Sequence, residues 1–381
     1  MENSFTISGQ IVDVVAGKMF PGKIEVTNGQ IASVTLSETA DNQFILPGLI
    51  DAHVHIESSM LVPAEFARLA VVHGTTATVS DPHEIANVLG MEGVDFMIRN
   101  GNLSPFKFHF GAPSCVPATD FESSGAIINS TQIEQLLQRD DILYLSEMMN
   151  FPGVIFGDEE VHKKLAFAKL YHKPVDGHAP GLDNENIKKY ASAGITTDHE
   201  CTTIDEAIAK INAGMHILIR EGSAARNFDA LVSLLATHPE KVMFCSDDKH
   251  PDDLVAGHIN LLIKRAVSAG FDTMAVIRAC TLNPVRHYKL KCGLLQPGDP
   301  ADMIIVDNLS DFRIRKTFIN GIMVAAEGKT LLKSHKYETP NRFLAQQTSI
   351  SDLEAKEGKG KLKIIQAFDG DLVTGKLLVD P

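Results

Sequence analysis

Pro47-Gly48-Leu49-Ile50-Asp51-Ala52-His53-Val54-His55, running on into Ile56-Glu57-Ser58-Ser59-Met60, decides how the rest of the chain is read. The run from Phe44 to Ile50 predicts a buried strand, and it ends in two histidines one residue apart. Side chains alternate faces along a strand, so His53 and His55 point the same way and can reach one metal ion over the strand end. A lone histidine would read as a satisfied core residue. The H-x-H pair leaves metal ligation and core packing equally open at this point.

Downstream, short apolar runs alternate with helical stretches. Eight strands are predicted, at 44–52, 75–80, 107–111, 142–146, 173–177, 195–198, 216–219 and 242–246, with helices such as Asp158 to Tyr171, Asp205 to Ala213 and Leu254 to Ala269 between them. Eight such units in roughly 250 residues predict an α/β chain folded as a (β/α)8 TIM-type barrel, the alternative being a doubly wound sheet. Before and after this region the pattern is strand-rich. Residues 5–46 carry alternating runs and an Asn28-Gly29 hairpin signal, and Gly298 to Asp307 and Phe312 to Phe318 match them. Both ends are therefore expected to form one small β-sandwich domain (1–46 plus 292–335) beside the barrel (47–291).

The residues just past the predicted strands point to chemistry. His53 and His55 follow the first, Glu147 the fourth, His178 the fifth, His199 the sixth and Asp247 the eighth. In a barrel those ends converge on one face. Four histidines and two carboxylates arriving together would hold two divalent cations, with a carboxylate bridging them and a hydroxide between.

Composition narrows the partners. Charge is −13, from 35 basic and 48 acidic residues, with no dense basic patch, which disfavours a nucleic-acid polymer. No apolar run reaches membrane-spanning length, and Met1 to Gln10 is too polar for a signal peptide. The five cysteines are scattered and odd in number, which fits reduced thiols and a cytoplasmic protein. A small-molecule substrate and a homo-oligomer are expected.

His53-Val54-His55, His178, His199 and Asp247 on eight alternating units resemble the amidohydrolase superfamily. The flanking text is closer to its bacterial adenine deaminase branch: Ile50 to Met60, His73-Gly74-Thr75-Thr76, Asp81-Pro82-His83-Glu84-Ile85-Ala86-Asn87-Val88, Glu147-Met148-Met149-Asn150, Asp176 to Gly181, Asp198-His199-Glu200-Cys201 and Cys245-Ser246-Asp247-Asp248-Lys249. The likeness covers about residues 5–335. It implies a two-metal site filled by manganese or iron, with Glu147 where many superfamily members carry a carboxylated lysine; ligand chemistry alone suits zinc equally. It also implies a sizeable C-terminal domain, of which residues 336–381 would be the beginning, Lys361 to Phe368 reading as a strand with an exposed edge.

The expected reaction is hydrolytic deamination of adenine to hypoxanthine and ammonia in purine salvage, with Asp247 as ligand and proton shuttle. Glu200 reads as a proton donor or as the partner that orients a ligand histidine, the latter preferred. Glu57, Ser58, Ser59, His83 and Glu84 are the candidates for purine recognition. Ser58 and Ser59 have capping of the helix near Pro63 as an alternative, and Asp81-Pro82-His83-Glu84 has a capping box. Asp248 is expected to face away or orient a loop, and Arg220 to contact substrate or, as the plainer account, to form an exposed ion pair. Two rivals stay open: a cyclic-amide or N-acyl hydrolase of the same superfamily, and an inactive metal-binding remnant or half of a split protein, suggested by the end at Pro381.

Overall fold

The computed structural model describes residues 4–119, 121–354, 358, 360–368 and 373–380. Residues 1–3 of the expected β domain, and residues 355–357, 359, 369–372 and 381 of the expected C-terminal beginning, lie outside these. Five parallel strands follow one another in chain order in one sheet: Leu49–Val54, Thr75–Ser80, Lys107–Ala112, Ile142–Met148 and Val175–Gly177. Three more, Thr197–Asp198, His216–Arg220 and Val242–Cys245, form a second parallel sheet. Helices separate them, as expected from the alternating pattern. Hydrogen bonds cross both gaps between the sheets. Thr196 N–H donates to Val175 O (2.9 Å) on one side, and Asp247 N–H donates to His53 O (2.9 Å) on the other. The ring expected from the sequence is thus met in the number, order and direction of its strands, and not as one continuous ladder.

Period-two alternation explains how these strands are buried on both faces. Ile217 and Ile219 pack with the helix residues Ile211, Leu231 and Ile263, as do Val242 and Phe244. Their neighbours Leu218, Met243 and Cys245 join Ile50, Ala52, Ala77, Val79 and Tyr144 in an inner cluster.

The expected first strand, 44–52, is two strands. Phe44–Pro47 pairs with Phe5–Asp13 and Met303–Val306 in a separate eight-stranded sheet, while Leu49–Val54 opens the parallel one. Gly48 is the break, where the backbone runs so close to the second strand that a Cβ would lie 2.2 Å from Thr76 Oγ1. The eight-stranded sheet unites both flanking segments. It runs Lys329–Thr330, Ile322–Ala326, Ile314–Ile319, Met303–Val306, Phe44–Pro47, Phe5–Asp13, Lys18–Thr27, Gln30–Leu36. Its hydrogen bonding runs through a single sheet, so the two stacked sheets of a sandwich are not evident from the pairing. The Asn28-Gly29 turn has φ of 51° and 80°, the doubly positive form such hairpins need.

Two further expectations change. The helix read as Leu254 to Ala269 is two, Pro251–Ala256 and Ile259–Ser268, parted at Gly257 and His258. The strand near Lys361 to Phe368 has a partner, since Leu362–Gln366 pairs antiparallel with Gly375–Val379.

Candidate metal centre

The strand ends deliver the six predicted ligands to one place. His53 sits one residue from the end of the first parallel strand and His55 just past it, with their Nε2 atoms 3.1 Å apart. Glu147 is the penultimate residue of the fourth strand, and both its oxygens are engaged. Oε2 lies 2.8 Å from His178 Nδ1 and 3.1 Å from His199 Nε2; Oε1 lies 3.4 Å from His55 Nε2. Asp247, two residues past the eighth strand, sets Oδ1 3.2 Å from His55 Nε2 and 3.7 Å from His53 Nε2. The His53 and His199 rings stack at 4.2 Å.

This set fits divalent cations. Two imidazole nitrogens facing each other at 3.1 Å cannot both donate, and His53 Nδ1 is buried with no hydrogen-bond partner among the described residues. His53, His199 and Asp247 offer atoms within 4.8 Å of one another, as do Glu147, His178 and His199. The ligand atoms are nitrogen and oxygen, and all five cysteines are buried and free. A third group, His55, Asp81, His83 and Glu147, lies alongside.

Electrostatics follow from burial and crowding. Burial, helped by His199 and His55, pushes His53 well below the usual imidazole range. Burial works to raise Glu147, but His178 and His199 hold it well below the carboxylate range. Asp247 is likewise held down, against burial, by His55 and His199. His199 goes the other way, to about 9, because Glu147 outweighs its burial.

The remaining candidates divide. His83 faces the site, its Nδ1 2.9 Å from Asp81 Oδ2 and 3.3 Å from Glu147 Oε1. Glu84 Oε1 is 3.5 Å from His55 Nδ1 and 3.5 Å from His83 Nε2. The capping box therefore does not form: the helix His83–Leu89 has Pro82 at its N-cap and no side-chain cap bond, because Asp81 and Glu84 turn to the histidines. Glu57 Oε1 accepts from Ile85 N–H (3.2 Å), and burial together with Glu84 pushes its pKa up to about 8. Ser58 Oγ donates to Asp248 Oδ1 (2.6 Å), and the buried Ser59 donates to Ile56 O (2.6 Å). Neither serine caps the helix Pro63–Ala70.

Arg220 corrects the expectation of an exposed ion pair. It ends the seventh strand buried, with Nη1 against Glu200 Oε1 and 2.5 Å from Asp247 Oδ2, and Nη2 3.0 Å from Glu200 Oε2. Glu200 in turn lies 3.4 Å from His199 Nε2 and 3.5 Å from His178 Nδ1. Its position past a strand end was the available signal. The sequence assigned no role to Asp198 or Lys210. Asp198 accepts from Ala179 N–H (2.9 Å) and Glu200 N–H (2.8 Å) and pairs with the fully buried Lys210 (2.9 Å), holding the loops that carry His178 and His199.

The amidohydrolase family model matches residues 44–324. Among curated relatives, the adenine deaminase of Salinibacter ruber is 51% identical over 379 residues, spanning 100% of this chain and 70% of that protein. That of Sulfurovum sp. is 52% identical over 371 residues, spanning 97% and 69%. Among solved structures, a β-aspartyl dipeptidase from Fervidobacterium islandicum superposes with a TM-score of 0.66 at 14% identity, covering 89% of this chain and 100% of that one. An adenosine deaminase from Xanthomonas campestris gives 0.60 at 14%, covering 86% and 94%. At such identities these two speak for the fold alone.

Proposed function

The chain belongs to the amidohydrolase family, and from that premise we propose that it deaminates adenine hydrolytically, giving hypoxanthine and ammonia. The observation that carries the reading is Glu147, whose one carboxylate faces His55 with Oε1 and both His178 and His199 with Oε2. We assign His53, His55 and Asp247 to one cation and His178 and His199 to a second, with Glu147 shared. Manganese or iron is the proposed filling. Divalent cations held there would acidify a water toward neutrality and orient it for attack.

The chain's own residues supply the rest. Water adds to C6 of adenine, the ring carbon becomes tetrahedral, and the 6-amino group departs as ammonia. Asp247, kept ionised by its neighbours, takes the proton from the attacking water and hands it to the departing nitrogen. Arg220 bonds Asp247 Oδ2, the oxygen other than the one set against His53 and His55, fixing the carboxylate's rotation. Glu200 is assigned to orienting His178 and His199 with Arg220. Glu57, whose carboxyl burial and Glu84 push up to about 8, is assigned to a ring nitrogen of the purine. His83 and Glu84 are assigned to the purine as well. Ser58 acts through Asp248, and Ser59 holds its own turn.

Seam hydrogen bonds at both gaps support reading the eight parallel strands as a closed (β/α)8 barrel at 47–291. A small β domain from 1–46 and 292–335 is proposed beside it. The protein is proposed to act in the cytoplasm as a homo-oligomer; among the described residues no helix is long and apolar enough to cross a membrane. The test is a panel on manganese-loaded protein with metal content measured alongside. Ammonia released from adenine, with dihydropyrimidines and N-acyl amino acids untouched, is expected. Turnover of either competitor class instead, or two bound metals without any turnover, would overturn the assignment.

A further inference from the structure

We propose that Asp51 and His258 form a buried positioning pair that sets the backbone, and through it the carboxylate, of Asp247. Asp247 has φ of +53°, the left-handed region, which a non-glycine residue keeps only where its surroundings over-determine it. Those surroundings converge on one carboxylate. Asp51 Oδ1 accepts the backbone N–H of Ser246 (2.9 Å) and of His53 (3.3 Å). Asp51 Oδ2 accepts the Ser246 hydroxyl and His258 Nε2, the latter at 2.8 Å. On the other side of the ring, His258 Nδ1 lies 2.7 Å from the Thr75 hydroxyl, so both ring nitrogens are engaged. Asp51, Ser246, His258 and Thr75 are all buried, so solvent does not compete for these bonds.

The location gives the network its use. The five-stranded and three-stranded sheets meet here without a continuous ladder, and this is where His53, His55 and Asp247 emerge. Asp247 itself adds two bonds across the gap, N–H to His53 O (2.9 Å) and O from His55 N–H (3.3 Å). One acid thus fixes the peptides on both sides of the seam, and His258 fixes the acid's rotation. His258 reaches it because the helix pair breaks at Gly257, where a Cβ would lie 2.4 Å from Leu261 Cδ1.

The proposal rests on the reading of Asp247 as proton carrier. Its test compares His258→Leu, which removes the donor, with His258→Gln, which keeps an N–H for Asp51, and Ser246→Ala, which removes one arm. Metal content, melting temperature, kcat and KM for adenine, and the crystal structure of each metal-free variant are measured. Expected for His258→Leu are retained metal, a kcat lower by about tenfold to a hundredfold with KM unchanged, and Asp247 leaving positive φ. His258→Gln is expected to restore most of the kcat and the φ. A His258→Leu protein with wild-type kcat and φ, or a kcat loss that glutamine does not recover, would overturn the proposal. Should His258→Leu fail to fold, Ser246→Ala decides: a lower kcat at unchanged KM supports the pair, and a wild-type kcat refutes it. If the wild-type chain releases no ammonia from adenine, the proposed function fails on its own, and the φ of Asp247 in the metal-free variants still tests the positioning.

Discussion

Glu147 is the proposed shared ligand, its carboxylate lying against His55, His178 and His199 together. His53→Ala, Glu147→Ala and Asp247→Ala are each expected to bring ammonia release to background, and metal analysis of Glu147→Ala should show the pair lost. Cys201→Ala should keep most of the activity, because its thiol lies against Asp198 Oδ1 (3.5 Å), behind the ligands. Activity retained by Glu147→Ala contradicts the shared-ligand role. Proton balance gives a second expectation. In the metal-free protein Glu147 raises His199 to about 9, so at pH 7 a cation must displace a proton to bind there. Manganese affinity should therefore rise from pH 7 to 9, and calorimetry in two buffers of different ionisation heat should report protons released. By the same sign, the stability His199 lends the metal-free fold is full below about 6.5 and is lost as pH rises through 9. Among residues, the proposed ligands were legible as a convergent set because they follow predicted strand ends. Arg220 obeys the same rule, yet its burial depends on Glu200 and Asp247 meeting it across the site, which no local pattern announces.

At the scale of elements, breaks carry the information that apolar pattern hides. Phe44 to Ile50 reads as one run because both halves are buried, each in a different sheet. Gly48→Ala tests the break: a methyl 2.2 Å from Thr76 Oγ1 should cost about 1–3 kcal/mol, read as a lower denaturant midpoint at unchanged slope. An unchanged midpoint would mean the turn adapts freely. The Asn28-Gly29 hairpin was legible because its chemistry is local. The parting of the helices at Gly257 was not, because helical periodicity continues on both sides.

For the whole molecule, the sequence implied that both flanking segments fold together as one small β-sandwich domain. The structure pairs Phe44–Pro47 with Met303–Val306 inside a single eight-stranded sheet that takes strands from both segments. What the sequence could not give was strand order within that sheet or how completely the parallel strands close, since both depend on long-range register. Metal should couple to global stability: ligand held at 100 times its Kd adds about 2.7 kcal/mol per site. Chelation is accordingly expected to lower the melting temperature and manganese to restore it, while a melting temperature indifferent to both would separate the metals from the fold.

The measurement that bears most directly on the account is anomalous diffraction at the manganese edge from crystals of the loaded chain. Two peaks are predicted on either side of Glu147, one against His53, His55 and Asp247 and the other against His178 and His199. No peak among these six side chains, or one that leaves Glu147 without a metal contact, would contradict it.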